Sequence, residues 1–259
     1  MNSLRALQKN WEGLAQRDPL AAICTDPRKR GGRWTHDEFF ETGRQEVRTV
    51  VQYLQSLGIS VDKTSPALDF GCGVGRLTAA LSEYFDECMG VDISPTMIQL
   101  ANDFHKHNPR CRFLLNDRDD LRNFGDASFG FIYTSIVLQH MKNSLARHYL
   151  CELVRLLKPG GVLVFQIPDR DLAPLLQKIR HVVGLRRKIN WLLRRETFHM
   201  EMHCLPEHQI RRLLSGRGVR IADVKLTNST QVNFNGRLRF LEQAPLRGFV
   251  SKQYCALKV

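Results

Sequence analysis

The chain has 259 residues, of which 43% are hydrophobic and 25% charged, and its formal net charge is +12. This composition is typical of a globular protein, and no apolar run approaches the roughly 20 residues that a membrane-spanning helix needs. The seven cysteines form no CxxC pair and the N-terminal segment lacks an apolar secretory core, which argues against structural zinc, a disulfide framework and secretion, and predicts a cytoplasmic protein.

The first predicted elements are helical. Residues 1–33 indicate a short helix followed by a basic loop. Thr35 and Glu38 then have the spacing of a capping box, and Trp34 with Phe39 can form a hydrophobic staple beside it. A helix is therefore predicted from Thr35, with Gly58 at its end.

The pattern then becomes an alternation of strands and helices. Ser94 and Pro95 are a typical N-cap and first residue for one of these helices. The alternation predicts an α/β protein with a doubly wound, mostly parallel sheet covered by helices on both faces. Strands are predicted at 66–71, 88–93, 111–116, 128–137, 162–168, 219–227 and 252–259, and helices at 75–85, 94–107, 144–157 and 205–218.

Residues 169–203 interrupt this alternation and are too long for a simple loop, so we predict a helical insertion after the fifth strand. Apolar residues at helical spacing indicate two short amphipathic helices with a break at Gly184. The stretch 178–195 contains Lys and Arg but no acid. We interpret it either as a solvated basic face or as a lid that attracts a negatively charged partner. That partner would be an anionic acceptor, such as a phosphorylated or lipid-linked sugar, or an acidic membrane surface. The cations of this stretch are Lys178, Arg180, Arg186, Arg187, Lys188, Arg194 and Arg195.

Three glycines follow the first predicted strand, in the sequence LDFGCGVGRL. Glycines at the carboxyl end of a parallel strand allow a sharp turn and the close approach of a ligand. Asp69 precedes them and would repel a pyrophosphate but favour a cation, while Asp92 and Asp117 end the next two strands, where ribose and adenine would find acceptors. A nucleoside that carries a cation fits this pattern, and S-adenosylmethionine is such a ligand.

The motifs ALDFGCGVGRL, GVDIS, ND at 116–117, FIYTSIVLQHM and LVRLLKPGGVLVFQIP resemble those of the class I S-adenosylmethionine-dependent methyltransferases in order and spacing. The resemblance covers about residues 35–168 and, more weakly, the C-terminal part. It implies a seven-stranded sheet of order 3-2-1-4-5-7-6 with the last strand antiparallel. It also implies one domain over 1–259, with a helical cover (1–60), a cofactor-binding core (61–168), a helical lid (169–203) and the C-terminal part of the sheet (204–259).

The same resemblance implies roles for individual residues around the cofactor. The methionyl part would lie among Asp69 and the glycines of the loop, and Asp92 would hold the ribose. The cofactor-binding residues implied in this way are Asp69, Gly71, Gly73, Gly75, Asp92, Ile93, Met97, Asp117, Arg118, Thr134 and Gln139, of which Ile93 and Met97 would pack on the nucleoside, Asp117 and Arg118 would flank the adenine, and Thr134 and Gln139 would line the sulfonium end.

The helix from Thr35 is expected to close over the cofactor. Gly43 lies inside this helix at a cost of about 1 kcal/mol, which indicates the close approach of a backbone or of the ligand, or packing against the sheet. Arg44 beside it would meet the methionyl carboxylate.

Methyl transfer chiefly requires alignment of the nucleophile and exclusion of water, although a nearby base helps a hydroxyl or an amine to lose its proton. The candidates for such a base are few. His140 follows the fourth strand at the mouth of the expected site. Glu201 and His203 belong to an alternating group with His199, and either would contact the acceptor or take its proton. We predict no metal, and packing or a polar surface remains the alternative role for each of these residues.

These observations predict methyl transfer to oxygen or nitrogen of a small-molecule or glycan-like acceptor. The alternatives are an RNA methyltransferase, suggested by the +12 charge, an inactive S-adenosylmethionine-binding scaffold, and a nicotinamide-dependent oxidoreductase. The fourth strand carries YTSI instead of the Asn/Asp-Pro-Pro-Tyr/Phe motif of enzymes that methylate amino groups of bases, and no Pro-Cys motif is present, so nucleic acid is not the favoured acceptor.

Overall fold

The computed structural model describes residues 2–173, 200–231 and 234–259. The basic run 178–195 and His199 lie outside these residues, so the predicted helical lid stays a prediction. No helix in the described ranges is long and apolar enough to cross a membrane.

One sheet of eight strands forms the centre of the described chain, in the order β3-β2-β1-β4-β5-β8-β6-β7. Strands β1 to β5 pair in parallel, and β8 runs antiparallel to both β5 and β6. The predicted order and the antiparallel last strand are confirmed, and the short edge strand β7 is an addition that the sequence did not predict. The strands are β1 (Ala67–Phe70), β2 (Cys88–Asp92), β3 (Cys111–Leu115), β4 (Phe129–Thr134), β5 (Leu157–Asp171), β6 (Val219–Thr227), β7 (Phe240–Leu241) and β8 (Phe249–Lys258).

Seven α-helices surround this sheet within the described ranges. Helix α4 ends at Leu81, four residues before the predicted end, because residues 82–84 turn back toward β2. Strand β5 starts at Leu157, where it pairs with Phe129, so the KPGG stretch belongs to the strand. The helices are α1 (Asn2–Arg17), α2 (Pro19–Ile23), α3 (His36–Ser56), α4 (Arg76–Leu81), α5 (Pro95–His105), α6 (Asn143–Leu156) and α7 (Glu207–Leu214).

Local sequence signals explain where these helices begin. The Thr35 hydroxyl accepts from the Glu38 amide, and the Glu38 carboxylate accepts from the Thr35 amide, which completes the predicted capping box. The rings of Trp34 and Phe39 meet edge to face with centroids 5.7 Å apart. The Ser94 hydroxyl caps α5 by accepting from the Met97 amide.

The two faces of the sheet carry separate cores, since successive residues of a strand point to opposite sides. Ile132 packs with α6 and α7 on one face, whereas its neighbours Phe131 and Tyr133 pack with α3 and α4 on the other. The sheet is therefore covered on both faces, as the alternating pattern predicts.

A buried polar cluster fixes α3 to the core. Arg76 and Glu46 form an ion pair of 2.8 Å whose side chains are 3% and 0% exposed. The Tyr133 hydroxyl donates to the second Glu46 oxygen at 2.8 Å, and Arg76 also donates to Thr42 at 3.3 Å. Breaking such a pair by removing one partner costs about 3–5 kcal/mol, so α3 is a rigid support of the glycine loop that Arg76 follows.

Helices α1 and α2 form a third cluster with Phe39, Val74 and Met97, beside the carboxyl ends of the strands. The Glu12 carboxylate of α1 accepts from the Ser94 hydroxyl at 2.6 Å and from both the amide and the hydroxyl of Thr96. Gln8 of α1 donates to the carbonyl of Ile93 at 3.2 Å. The cover of the strand ends is therefore α1 with α2, and the prediction that the helix from Thr35 provides it is corrected.

Candidate active site

A cavity of about 250 Å³ lies where the resemblance expects the cofactor. Its lining begins at the carboxyl ends of β1, β2, β3 and β4 and continues to α1, α2, Met200, Met202, residues 229–231 and Phe234. The strands in this part of the sheet are parallel, so their carboxyl ends meet at one edge, which is the usual binding edge of an open α/β sheet.

The glycine loop forms one wall of the cavity, as predicted. Gly71 and Gly73 line it with φ angles of +81° and +54°, a conformation that residues with a side chain rarely adopt. A Cβ on Gly73 would lie 2.5 Å from Cδ1 of Ile23 in α2, and one on Gly71 would lie 2.3 Å from Val137. Gly75 does not line the cavity: a Cβ there would meet Phe113 and His105, so its role is packing.

Asp92 lines the cavity at the end of β2 and holds the glycine loop in place. Its two oxygens accept from the amides of Gly73 and Ser94, each at 2.9 Å. Burial raises the pKa of this carboxyl, and the backbone hydrogen bonds oppose that rise. Each carboxylate oxygen keeps a further lone pair, so the predicted acceptance from ribose hydroxyls is compatible with these contacts.

Asp69 does not line the cavity, although its sequence position suggested direct contact with the cation. Its Oδ2 accepts from the Thr78 hydroxyl at 2.7 Å, while Oδ1 is buried and has no partner in the described part of the chain. Burial raises the pKa of Asp69 to about 7. An unpaired, buried carboxylate oxygen is stabilised by positive charge, which fits a ligand that carries a sulfonium and an ammonium group.

Asn116 lines the cavity after β3, where the sequence analysis placed Asp117 and Arg118. Asn116 is buried and lines the cavity, whereas Asp117 and Arg118 are exposed and do not. The Asn116 amide donates to the carbonyls of Arg118 and Asp120, and its Oδ1 is buried without a partner among the described residues. The earlier assignment is corrected, because neighbouring residues after β3 point in opposite directions.

The segment after β4 is held in a strained conformation. Ile136 has a φ of +61°, which is unfavourable for a β-branched residue. Its amide donates to the Gln166 side chain of β5 at 2.9 Å. Ser135 and Ile136 line the cavity, while the predicted Thr134 is buried one residue earlier and does not reach it.

Gln166 also starts a buried chain of side-chain hydrogen bonds that ends at His140. Its amide donates to Gln139 Oε1 at 3.1 Å and to the Ser251 hydroxyl at 2.5 Å. The Gln139 amide in turn contacts His140 Nε2 at 3.3 Å. Gln139 lines the cavity, and its role at the sulfonium end stays a prediction. Gln166 is a residue that the sequence analysis missed.

His140 lines the cavity in a defined protonation state. Its Nδ1 lies 2.7 Å from the carbonyl oxygen of Glu201, which can only accept, so Nδ1 carries the proton and Nε2 is left as an acceptor. Burial lowers the pKa of His140 to about 4, so the ring is neutral at neutral pH. The ring meets Trp11 of α1 edge to face, with centroids 5.1 Å apart.

Glu201 and His203 do not line the cavity as side chains, so their roles as bases are corrected. The Glu201 carboxylate is 61% exposed and lies 3.3 Å from His203 Nε2. Their backbone does matter, because the Glu201 carbonyl accepts from His140 and the His203 amide donates to the carbonyl of Gln139. No group of three metal-ligating residues is found in the described ranges.

Gly43 and Arg44 also lie away from the cavity. A Cβ on Gly43 would lie 2.4 Å from the carbonyl oxygen of Arg76, so this glycine permits the close approach of a backbone. Arg44 pairs with Glu41 at 2.7 Å, with both side chains about two-fifths exposed. The expectation that they contact the cofactor is therefore corrected.

The sequence analysis missed a set of apolar side chains in the lining. They come from five separate segments of the chain. The amphipathic pattern of residues 2–17 indicated that α1 packs over another part of the protein. No sequence pattern identified the other residues of this set. These side chains are Leu4, Leu7, Trp11, Ile23, Met141, Met200, Met202 and Phe234.

Residues 68–165 match the family described as "Methyltransferase domain". Over 139 residues the chain is 33% identical to trans-aconitate 2-methyltransferase from Enterobacter sp. (strain 638) and 34% identical to demethylmenaquinone methyltransferase from Tropheryma whipplei (strain Twist). These matches cover 52% and 51% of this chain and 51% and 55% of the relatives, so the chain spans about half the length of the curated relatives it matches.

Solved structures show the same fold at low identity. Phosphoethanolamine N-methyltransferase 1 from Haemonchus contortus superposes with a TM-score of 0.63 at 13% identity, over 99% of this chain and 49% of that one. Magnesium protoporphyrin IX methyltransferase from Synechocystis PCC 6803, with bound S-adenosylhomocysteine, gives 0.57 at 19% identity, over 89% and 91% of the two chains.

Proposed function

We propose that residues 68–165, which match a methyltransferase domain, are of the class I, S-adenosylmethionine-dependent type, and that the chain transfers a methyl group from S-adenosylmethionine to oxygen or nitrogen of a small molecule. The observation that carries the proposal is the polar half of the cavity. There the glycine loop, Asp92 and the unpaired Oδ1 of Asn116 line one space at the carboxyl ends of parallel strands.

These residues fit the cofactor. Asp92 would accept from the ribose hydroxyls, Asn116 Oδ1 would accept from the adenine amino group, and the loop would leave room for the methionyl part. Met97 and Ile93 line the same end and would pack on the nucleoside. When bound, the sulfonium would supply an activated methyl group: the acceptor atom would bond to the methyl carbon as the carbon–sulfur bond breaks, and the sulfur would keep the electron pair of that bond.

His140 is the group of the described chain that would receive the acceptor's proton. Its Nε2 holds the lone pair of the ring because Nδ1–H is bonded to the Glu201 carbonyl, and the ring is neutral at neutral pH. The Gln139 amide faces this nitrogen at 3.3 Å, so it would have to turn away before Nε2 takes a proton. Such a group supports an acceptor that arrives protonated, as a hydroxyl or an amine does. A glycan acceptor has less support, because α1, α2 and the other segments that complete the lining contribute mostly apolar side chains.

The relatives also favour a small molecule over the alternatives, since their names concern trans-aconitate and demethylmenaquinone. An RNA acceptor remains the alternative that the net charge suggests. An inactive scaffold would need neither an unpaired Asn116 oxygen nor an oriented His140. The basic run 178–195 lies outside the described residues, and its contact with an anionic acceptor or an acidic membrane surface stays a prediction.

Calorimetric titration with S-adenosylhomocysteine tests the proposal. We expect micromolar or tighter binding, weakened by about 1.5–3 kcal/mol in Asp92→Ala, which removes hydrogen bonds to a charged acceptor. Asn116→Ala should weaken binding about tenfold, and Asp117→Ala is its matched control because its side chain lies outside the cavity. Absence of binding to the unaltered protein would refute the proposal, and a larger loss in Asp117→Ala than in Asn116→Ala would refute the adenine assignment.

A further inference from the structure

A chain of buried side-chain hydrogen bonds joins two separate parts of the cavity lining. One end is Gln139, after β4, and the other is Ser229, in the turn after β6. Gln166 of β5, Ser251 of β8 and Thr227 of β6 lie between them. The four contacts measure 3.1, 2.5, 3.0 and 3.0 Å. All five residues are at most 5% exposed, so water competes little for these contacts.

A backbone group fixes the direction of donation at the Gln139 end. The Ile136 amide can only donate, and it meets Gln166 Oε1 at 2.9 Å. The NH₂ group of Gln166 is therefore the one that faces Gln139 Oε1 and the Ser251 hydroxyl. It follows that Ser251 Oγ is an acceptor in its contact with Gln166.

The number of available protons then decides which hydroxyl donates at the Ser229 end. The Thr227 hydroxyl donates to Ser251 Oγ, and a threonine side chain has one such proton. The distance between Thr227 and Ser229 allows donation in either direction, but Thr227 has no second proton, so Ser229 is the donor. Ser229 Oγ keeps its acceptor capacity and has no further proton to donate. Ser229 therefore lines the cavity as an acceptor.

Ser229 lies on the side of the cavity away from the proposed cofactor contacts. Strands β5, β8 and β6 are on one side of β4 in the sheet, whereas β1, β2 and β3, which precede the glycine loop, Asp92 and Asn116, are on the other. Phe234, which follows Ser229 closely in the chain, adds an aromatic ring to the lining. A ligand that covers Ser229 without a donor would leave a buried oxygen unpaired, which is costly.

Resting on the proposed function, we propose that the methyl acceptor is an apolar molecule with an O–H or N–H group that donates to Ser229 Oγ. Ser229 contacts the acceptor directly. Thr227 is a positioning residue: by accepting the proton of Ser229, it keeps the Ser229 oxygen available as an acceptor. Ser251 holds Thr227 in this orientation.

Indole and benzofuran test the polarity of this contact. The two bicyclic molecules have nearly the same shape and are uncharged at neutral pH, but only indole has an N–H donor. With the protein saturated by S-adenosylhomocysteine, calorimetry should show indole binding about three- to tenfold more tightly than benzofuran, the usual net contribution of one hydrogen bond. Equal affinities, or binding of neither probe, contradict the proposal.

Substitutions along the chain test the two roles separately. Ser229→Ala removes the acceptor and should abolish the preference for indole. Thr227→Val keeps the shape of the side chain but frees the Ser229 proton, so the preference should fall, and Thr227→Ser, which keeps a hydroxyl, should restore it. Thr134→Val is the matched control and should leave the preference unchanged, because Thr134 is also a buried strand residue and its hydroxyl has no partner among the described residues.

All four variants should bind S-adenosylhomocysteine like the unaltered protein, because none of them alters the glycine loop, Asp92 or Asn116. A preference for indole that persists in Ser229→Ala overturns the contact. A preference that persists in Thr227→Val, or that is lost in Thr134→Val, overturns the positioning role. Failure of the unaltered protein to bind S-adenosylhomocysteine would instead refute the proposed function.

Discussion

The two ends of the cavity are built in different ways. The part of the lining proposed to hold the cofactor, the cofactor end, comes from short turns at the ends of neighbouring strands, and its polar groups are fixed by backbone amides, as Asp92 is by Gly73 and Ser94. The part proposed to hold the acceptor, the acceptor end, is assembled from α1, α2 and stretches more than a hundred residues further along the chain. The first end is therefore local and recurrent in sequence, whereas the second depends on how distant segments pack.

The largest effect should follow from closing the cofactor end at the glycine loop. Gly73→Val is expected to weaken S-adenosylhomocysteine binding more than about a hundredfold, because Val disfavours a positive φ and its Cβ would displace Ile23. Gly58→Val is a matched control, since Gly58 also has a positive φ but no atom within 4 Å of its added Cβ. Calorimetry and circular dichroism of both variants check the affinity and the fold. Equal affinities in the two variants would show that the glycine loop is not part of the binding site.

A substitution in β5 should have an intermediate effect, which lowers the rate of methyl transfer and leaves cofactor affinity unchanged. Gln166→Leu removes the support of Ile136 and Gln139, so we expect methyl transfer to an acceptor found by a screen with labelled methyl donor to fall about ten- to a hundredfold. S-adenosylhomocysteine affinity should stay the same. Nitrogen-15 spectra should show the Nδ1–H tautomer of His140 in both proteins, because the Glu201 carbonyl fixes it, and a shifted Nε2 resonance in the variant, because the Gln139 amide that faces Nε2 is no longer supported.

The control for this variant is Gln253→Leu on β8. Gln253 pairs with Gln166 in the sheet register and is fully buried, but its amide atoms have no partner among the described residues. Its replacement should leave both the Nε2 resonance of His140 and the rate unchanged. If Gln166→Leu behaves like Gln253→Leu, the chain of hydrogen bonds does not position His140.

The smallest effect concerns pH at the cofactor end. Burial raises the pKa of Asp69 to about 7, above its value of about 3.9 in an unfolded chain. The native protein therefore keeps this proton, and the stability it contributes is full below pH 4 and is lost as pH rises through about 7. Because a cation favours the carboxylate, S-adenosylmethionine affinity should rise up to about tenfold between one pH unit below and one above that pKa. Calorimetry across this range should show a flat profile in Asp69→Asn, and a persisting slope there would assign the titration elsewhere.

The contrast between the two ends also explains what the sequence could predict. The strand order, the capping at Thr35 and Ser94 and the placement of Gly71, Gly73 and Asp92 follow from local patterns that are strong at strand-to-helix turns. The sequence analysis named Asp117 and Arg118 instead of the neighbouring Asn116, because the alternation of a strand does not show where the chain turns after β3. Gln166 sits in the middle of a buried strand, and nothing in its local sequence distinguishes it from the unpaired Gln253.

The seating of α1 has a consequence for the timing of the reaction. This helix contributes Trp11 to the acceptor end and, through Glu12, is bonded to Ser94 and Thr96 at the start of α5, next to Asp92. Under the proposed function, spent cofactor beneath this cover would leave when these bonds open, so the turnover rate could not exceed the rate at which α1 opens. The ligand that enters first below α1 would then form part of the surface against which the second ligand binds.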